Sequence, residues 1–574
     1  MLIFYQSFHL FLDLLQVSDI HGYIAGQRHF PEYADLPSFL SYKEQLQQQN
    51  PDVAQYSIVV GDLCEGTGLS DLTSPKCAFI YEAISMCNFT TVIPGNHDIQ
   101  YADTVQWVNE NKWQLFQDRY LAANVYFSNG TAISNQYKYE TINSLRILTL
   151  SLVVNENNFT SVYTTDYIQS LVNLEPVLNK FGEQTDLVVL ALHMGYNESQ
   201  VPLIYDFIRK FFQTNFNYQV PIAVLTAHSH SLNGKFCDYF GVDSNCFATE
   251  AGYYLKYFVQ ARFQFERISI ENGPNKFIGS KIINVDLKKE NELKTDILAD
   301  SLNQDSFIQT VNGIKLQNKI NEKTKELGID RKLGHSKFNF AKDKNMRAPN
   351  SIHRLWTKQI FPTIVFNDQN KQVNTNKQQS YNKYYDDQNT QCQQITVTDF
   401  GGIRSEIYKG DITESDIQSI MPFDCAITYF QNVSLEQITC TVNELNKRGV
   451  YDHNELEGTC VDLVTNSFNQ NELGPVLGQC GYQQKAAPYE TREKINSTNQ
   501  IFVVYVQKHM QDHVVQQVSE ANGNEVLWIT ISSFIMLGVL IIFLVALVTC
   551  KGKQNKPDPI IEEESYDSAY YDKI

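Results

Sequence analysis

The chain has 574 residues, which at roughly 100–200 residues per domain leaves room for about two to four domains with large buried cores. Its composition, 43% hydrophobic and 19% charged, excludes a chain that is disordered throughout. The 46 basic and 64 acidic residues give a net charge of −18, so we expect no broad electrostatic attraction to nucleic acid and no nucleic acid partner.

Residues 1–12 are apolar, but they lack the basic segment and the small-residue cleavage site of a secretory signal. This stretch runs directly into the first predicted strand at residues 14–19, so cleavage after it would remove part of that strand. We therefore treat residues 1–12 as an uncertain N-terminus that could be a signal remnant.

Residues 13–300 alternate short apolar runs with longer amphipathic stretches, which is typical of a layered α/β domain. Five of the runs are predicted strands that end in Asp, Asn or His, at residues 14–19, 57–62, 90–97, 187–193 and 222–230. Because the carboxyl ends of strands carry the binding residues of α/β sheets, we expect these polar side chains to share one site.

The strand ends contribute side chains whose chemistry suits a pair of metal ions, namely Asp19, His21, Asp62, Asn96, His193, His228 and His230, with His97 beside them. Imidazoles mixed with carboxylates favour zinc, manganese, iron or cobalt. In D-x-H and H-x-H, alternation along a strand would direct both side chains to one face. One carboxylate must bridge the two ions, and Asp62 is the candidate. Gly61 and Gly95 permit the close backbone approach that such a site needs.

Taken together, these elements resemble the calcineurin-like metallophosphoesterase superfamily. The resemblance implies a four-layer α/β/β/α sandwich that hydrolyses phosphoesters with two divalent metal ions, which activate a water molecule for in-line attack. It assigns one ion to Asp19, His21, Asp62 and His230, and the other to Asp62, Asn96, His193 and His228. His97 is left free of metal as the catalytic histidine, to stabilise transition-state charge or protonate the leaving oxygen.

Two features next to these motifs stay open. Asp98 is either a residue of the catalytic site that orients His97 or a solvent-facing loop carboxylate. The segment VVGDLCEGTGLSDLT departs from other members of the superfamily after Asp62, so the shape of the cleft near residues 65–71 is not predicted.

A second α/β domain is predicted over residues 301–515, interrupted by an inserted polar low-complexity loop at residues 367–394. Within it, residues 399–423 read DFGGIRSEIYKGDITESDIQSIMPF. The Gly-Gly turn presents Arg404, whose guanidinium suits a phosphate or a carboxylate.

With the metal domain upstream, this block resembles the C-terminal domain of 5′-nucleotidases. The resemblance implies a substrate-binding set of Asn96, Asp399, Arg404 and Phe423. Phe423 would stack on a nucleobase, which contributes about 1–3 kcal/mol, but it could equally be buried core. Asp399 and Phe400 replace the Asn and Gly of the family, and no G-D-G-[FY] element is found; the nearest segment offers Tyr482 and Tyr489.

The expected activity is therefore 5′-nucleotidase-type hydrolysis of nucleotides, with a small-molecule phosphoester as the partner. Two alternatives remain open. The same chemistry could act on cyclic nucleotides, nucleotide sugars or another phosphoester, or the chain could be a non-catalytic ectodomain.

Residues 526–549 are 24 residues without a charge, the length of a single membrane-spanning helix. Lysines follow this segment and glutamates precede it, which predicts a type I-like topology with residues 550–574 in the cytosol. The catalytic domain would then face outside the cell or an endolysosomal lumen. Ten of the 11 cysteines and six N-glycosylation sequons precede the segment, and Cys237–Cys246 is the best disulfide candidate. The oligomeric state is left open.

Overall fold

The computed structural model describes residues 6–511 apart from the segments 31–32, 156–158, 160, 238–242, 244, 270–275, 287–301, 343–347, 366–391, 397–401, 423–424, 447–459, 490–494 and 496. Most of the predicted loop 367–394, the predicted membrane span 526–549 and the tail 550–574 lie outside the described residues. In the part of the chain that the structure describes, every helix is too short or too polar to cross a bilayer.

The first half of the chain forms two large β-sheets. Its strands are β1 (Gln6–Val17), β2 (Ala54–Val60), β3 (Thr91–Ile93), β4 (Val125–Phe127), β5 (Tyr137–Ile142), β6 (Leu145–Val153), β7 (Val162–Thr164), β8 (Leu187–His193), β9 (Ile222–Thr226), β10 (Leu232–Phe236), β11 (Cys246–Ala251), β12 (Val259–Ser269) and β13 (Lys276–Asp286). One sheet has the order β13-β12-β1-β2-β3 and the other β10-β11-β9-β8-β6-β5, while β4 pairs with β7. Strands β1, β2 and β3 run parallel, as do β6, β8, β9 and β11.

The two sheets pack face to face around an apolar core. Leu12 and Leu14 of β1 point into this core together with Val189 of β8, whereas Leu15 and Val17 point to the opposite face. Because successive side chains alternate between the faces of a strand, a strand that is buried on both faces is apolar almost throughout. Because of this pattern, the short apolar runs of the sequence could be predicted to be strands.

Helices cover the outer faces of both sheets. Leu36–Gln49, Ala78–Met86 and Val311–Leu327 pack on the first sheet. Tyr167–Asn173, Glu175–Phe181 and Gln200–Phe216 pack on the second. The order of layers is therefore helix, sheet, sheet, helix, as the resemblance implied. The remaining helices of this half are Gly68–Asp71, Asn96–Ile99, Ala102–Phe116 and the short 3₁₀ turn Gly182–Gln184.

Two boundaries differ from those read off the sequence. Strand β1 begins at Gln6 rather than at residue 14, because residues 6–16 pair antiparallel with β12. Residues 6–12 thus form part of the sheet, although the sequence left them as an uncertain N-terminus. Helix Val311–Leu327 buries Leu316 and Ile320 against the first sheet's helices, although its residues fall in the predicted second domain.

The second half of the chain forms smaller sheets with their own apolar cores. Its strands are β14 (Lys332–Ser336), β15 (Gln393–Thr396), β16 (Gly410–Thr413), β17 (Ile427–Ser434), β18 (Cys460–Asn466) and β19 (Ala487–Pro488). Strand β14 pairs with β16, and the others have the order β15-β18-β17-β19. The helical segments are Ile352–Leu355, the π-helical Trp356–Ile360, Phe361–Val365, Glu414–Ile420, Leu435–Asn446, Ser467–Gln479 and Thr498–His509.

Each half contains two disulfides, Cys64–Cys77 and Cys237–Cys246 in the first and Cys392–Cys460 and Cys440–Cys480 in the second. The predicted Cys237–Cys246 pair is confirmed. Disulfides of this number are typical of proteins that fold in an oxidising compartment.

Candidate active site

The carboxyl ends of five strands meet at one edge of the two sheets. The predicted ligands follow β1, β2, β3 and β9 within four residues, or end the strand in the case of β8. Donor atoms of Asp19, His21 and His230 lie within 4.8 Å of one another, and those of Asp62, His193 and His228 form a second such group. Asn96 joins the second group, with Oδ1 3.1 Å from Nε2 of His193 and 3.2 Å from Nδ1 of His228. The structure therefore brings all seven predicted ligands together.

Asp62 lies between the two groups. Its Oδ2 is 3.5 Å from Nε2 of His21 in the first group and 3.3 Å from Nε2 of His193 in the second. The carboxylate is almost fully buried. Asp62 thus occupies the position that a bridging ligand requires.

The ligand pairs sit on turns after the strands rather than on the strands themselves. Backbone φ is positive at Asp19 (48°), His21 (48°), Asp62 (52°), His228 (75°) and His230 (59°). Non-glycine residues rarely adopt this left-handed conformation, and such strain is commonly stored at functional sites. The expected alternation along a strand is therefore not what aligns the D-x-H and H-x-H pairs; left-handed turns do so.

Two glycines make room for the ligands. A Cβ on Gly61 would overlap the ring of His193, and φ at this glycine is +76°. A Cβ on Gly95 would overlap Oδ1 of Asp62. The close backbone approach expected at both glycines is confirmed.

Hydrogen bonds fix which ring nitrogen of two histidines faces the centre. Nδ1 of His21 lies 2.9 Å from the backbone oxygen of Cys64, and Nδ1 of His193 lies 2.9 Å from that of Val60. Because a carbonyl only accepts, each Nδ1 carries a proton. Nε2 of both rings therefore faces the carboxylate of Asp62. Carboxylate, amide and imidazole acceptor atoms surround the space at the centre. They would stabilise a positive charge there, so the residues fit divalent metal ions.

The pKa values of the histidines reflect burial and the negative charge of Asp62. Burial lowers the pKa of His228 to about 4 and that of His230 to about 3, which leaves both as neutral donors. Burial opposes protonation of His193 as well, but the carboxylate of Asp62 overrides it and raises that pKa to about 10. The second proton on His193 compensates for the negative charge of Asp62, and a bound cation would displace that proton.

His97 follows Asn96 and faces the two ligand groups. Its Nε2 lies 3.9 Å from Oδ2 of Asp62 and 3.1 Å from Nη2 of Arg404. Its Nδ1 donates a hydrogen bond to Glu65. Nδ1 or Nε2 of His97 also lies within 4.8 Å of donor atoms of His21 and Asp62, so the position of His97 fits a metal ligand as well as a catalytic histidine.

Glu65 was not predicted as a site residue, because the segment after Asp62 carries no periodic pattern. Its buried carboxylate contacts His97, Tyr101 and Lys76. Burial opposes its ionisation, yet the hydrogen bond from His97 and the charge of Lys76 outweigh burial and hold the pKa of Glu65 below its usual range. The only sequence signal was an acidic residue three positions after the ligand Asp62.

Asp98 is not the solvent-facing loop carboxylate that was one of its two sequence-based interpretations. It is buried, and its carboxylate accepts hydrogen bonds from the backbone N–H groups of Leu63 at 3.1 Å, Cys64 at 3.1 Å and Gly95 at 2.7 Å. These bonds hold the loop after β2 against the loop after β3. The carboxylate that accepts a hydrogen bond from His97 is that of Glu65, and Asp98 holds the loops that carry both residues.

The ligands open onto a cleft of about 970 Å³ between the two halves of the chain. His97, Asp62, His228 and His230 line it from the first half, and Arg404 and Tyr408 from the second. Beside the ligands, Tyr23 stacks on Tyr254 with ring centroids 4.3 Å apart, and His230 stacks on Tyr253 at 5.0 Å. The cleft therefore combines the ligand groups, the guanidinium of Arg404 and an aromatic wall.

None of the other substrate residues expected in the second half is described in the cleft. Asp399 and Phe423 lie outside the described residues. Tyr482 packs edge-on against Phe430, and Tyr489 packs in the same way against Tyr429, both within the second half. Arg404 is thus the one predicted substrate residue of the second half that the structure describes in the cleft.

Family comparisons match both halves. Residues 12–232 match the family model of the calcineurin-like phosphoesterases, and residues 340–473 match that of the NAD nucleotidase C-terminal domain. An uncharacterized protein of Saccharomyces cerevisiae is 21% identical over 435 residues, which are 72% of this chain and 66% of that protein. A protein of Arthroderma benhamiae described as secreted is 21% identical over 536 residues, 85% of this chain and 75% of its own length.

A solved structure shares the fold. The crystal structure of the 5′-nucleotidase from Candida albicans matches with a TM-score of 0.68 at 19% identity, over 86% of this chain and 97% of that chain. Fold, convergent ligands and family match define the class of the protein, which is a phosphoesterase. More narrowly, it carries a calcineurin-like phosphoesterase domain followed by a C-terminal domain of the NAD nucleotidase type, and divalent metal ions belong to the chemistry of that family.

Proposed function

We propose that the protein hydrolyses nucleotides as a 5′-nucleotidase-type enzyme with two divalent metal ions. The observation that supports this most directly is the position of Asp62, whose carboxylate lies 3.5 Å from Nε2 of His21 in one ligand group and 3.3 Å from Nε2 of His193 in the other. Both groups lie on the cleft that is also lined by Arg404, a cation from the other half of the chain. Asp19, His21, Asp62 and His230 would hold one ion, and Asp62, Asn96, His193 and His228 the other.

The ions would supply Lewis-acid stabilisation and an activated water molecule. Arg404 would bind the phosphoryl oxygens, because a planar guanidinium matches their geometry with two parallel hydrogen bonds. His97 directs Nε2 toward Asp62 and Arg404, where it can stabilise charge on a phosphoryl oxygen or protonate the leaving oxygen.

The choice of a nucleotide rests on two supports. The structural neighbour from Candida albicans is a 5′-nucleotidase, and the matched C-terminal family is named for NAD nucleotidase. In this chain, Tyr253 and Tyr254 line the cleft next to the ligand groups and offer aromatic surface to a base. The cleft also has room for larger phosphoesters such as a nucleotide sugar, which is the second candidate.

A panel of AMP, UDP-glucose and bis-p-nitrophenyl phosphate tests the proposal. We expect metal-dependent phosphate release to be fastest from AMP and to be lost in Asp62→Asn. Preference for UDP-glucose or for the diester would favour the second candidate. The absence of metal-dependent turnover on all three would favour a non-catalytic ectodomain.

We also propose an extracytosolic location with an anchor at residues 526–549. Four disulfides and the exposed sequon residues Asn88, Asn129, Asn197 and Asn432 support the location, and the uncharged stretch supports the anchor. Deglycosylation should increase the mobility of the full chain on gels, and carbonate extraction should leave it in the membrane pellet. Recovery in the supernatant would contradict the anchor.

A further inference from the structure

The carboxylate of Glu65 is fully buried next to His97, and its two oxygens have different partners. Oε2 accepts the hydrogen bond from Nδ1 of His97. Oε1 accepts hydrogen bonds from the hydroxyl of Tyr101 and from Nζ of Lys76, the latter at 3.0 Å. One oxygen is thus dedicated to the histidine, while the other is anchored by a hydroxyl and a cation.

The loop that presents Glu65 is held from several sides. Its backbone φ is +71°, and its N–H donates to Oγ of Ser70 at 2.8 Å. The next N–H, of Gly66, donates to Asp71 at 3.0 Å, and the Cys64–Cys77 disulfide closes the loop. A side chain placed by so many local bonds is preorganised, as the support of a reacting group should be.

A buried carboxylate is costly unless its partners compensate for the lost hydration. Lys76 compensates for the charge of Glu65 from the side away from His97, and its ammonium also lies over the ring of Tyr101, 4.3 Å from the centroid. The hydrogen bond to Glu65 requires a proton on Nδ1 of His97, which leaves Nε2 directed at the cleft. The carboxylate therefore determines both the tautomer and the ring orientation.

We infer that Glu65 is a positioning residue for the reaction, acting through His97 so that Nε2 faces the ester oxygen that leaves. This inference rests on the proposed function. The hydrogen bond from Nδ1 to Glu65 fixes the ring, so that Nε2, the atom that would pass a proton to the leaving oxygen, stays on the cleft side. In the hydrolysis, the oxygen of the attacking water would bond to phosphorus while the P–O bond to the leaving group breaks. The leaving oxygen would take the Nε2 proton of His97, the ring would be left as the Nδ1–H tautomer held by Glu65, and the proton lost by the water would replace the one on Nε2.

The leaving group provides a readout that a purely structural role would not change. The 5′-oxygen of AMP leaves as an alkoxide and needs a proton, whereas p-nitrophenolate is stable without one. We expect Glu65→Gln to lower kcat for AMP by about 10- to 100-fold and kcat for p-nitrophenyl phosphate by less than about fivefold. KM and metal content should stay close to those of the wild type, whereas Tm should fall because Lys76 loses the charge of Glu65.

A double-mutant cycle tests whether the effect passes through His97. In a His97→Gln background, adding Glu65→Gln should cost less than about twofold more, because residues that act as a unit are not additive. Tyr101→Phe is the matched control, since it removes one hydrogen bond to the same carboxylate and leaves the contact with His97. If Glu65→Gln does not fold, Glu65→Asp, which keeps the charge, takes its place in the same cycle.

The outcomes separate the two proposals. A wild-type protein without metal-dependent turnover of either substrate would overturn the proposed function and this inference with it. Turnover by the wild type together with an unchanged Glu65→Gln variant would overturn the inference alone. Equal losses on both substrates, or losses that add to those of His97→Gln, would do the same.

Discussion

Nη2 of Arg404 lies 3.1 Å from Nε2 of His97, although 307 positions separate the two residues in the chain. The ligand groups all come from the first half of the chain, whereas this guanidinium comes from the second. We therefore expect phosphoester hydrolysis at this cleft to depend on both halves. In the proposed mechanism, the pair would link substrate binding to the histidine that we place next to the leaving oxygen.

Replacing Arg404 should weaken substrate binding. A hydrogen bond to a charged group contributes about 1.5–3 kcal/mol, so Arg404→Ala should lower kcat/KM by about 10- to 100-fold, and Arg404→Lys should recover only part of this loss. Steady-state kinetics on AMP measure both. Arg331→Ala is the matched control, because Arg331 forms an exposed pair with Glu414 at 3.0 Å and should leave kcat/KM unchanged. Equal activity of Arg404→Ala and the wild type would remove Arg404 from the site.

Asp62→Asn should abolish binding of the metal pair. Asparagine tolerates the left-handed backbone at this position, so the change removes charge with little added strain. We expect a loss of metal by elemental analysis and a decrease in kcat of at least about 100-fold. Asp19→Asn provides the comparison, since Asp19 belongs to one ligand group only and should lose mainly one ion. Full metal content in Asp62→Asn would show that Asp62 does not bridge.

Gly95→Ala should damage the site sterically. The added Cβ would overlap Asp62, and overpacking of this kind costs about 1–3 kcal/mol. We expect a lower Tm and reduced metal content. Gly478→Ala is the control, because this exposed helical glycine has open space around its Cβ position and should be neutral or stabilise by up to about 1 kcal/mol. Wild-type metal content in Gly95→Ala would contradict the close packing.

Cys87 should resist alkylation in the folded protein. Its thiol is fully buried, and burial raises its pKa to about 12. Because only the thiolate reacts, iodoacetamide at pH 8 should leave Cys87 unmodified in the native state and modify it in guanidinium chloride. Peptide mass spectrometry measures both states. Rapid native labelling would mean that the helix Ala78–Met86 opens readily.

The ligand set could be predicted because each ligand follows an apolar run that ends in a polar residue, and such runs are the signature of buried parallel strands. The role of Glu65 could not be predicted, since its loop has no periodicity and its contact with His97 depends on a backbone φ of +71°. The start of β1 was missed because its pairing partner, β12, lies some 250 residues later in the chain. Local sequence patterns predict the buried faces and the ends of strands, whereas contacts between loops depend on the completed fold.

The positive φ of His230 limits which residues can replace it without backbone strain. Most replacements there would lose the imidazole and keep an unfavourable backbone conformation, whereas glycine removes the ring and adopts this φ without cost. The space left by the ring would open directly on the cleft, since the His230 side chain is 26% exposed. Imidazole or a pyridine added to the medium could then take the vacant coordination position. A His230→Gly variant is therefore suited to chemical rescue and to coordination by ligands other than amino-acid side chains.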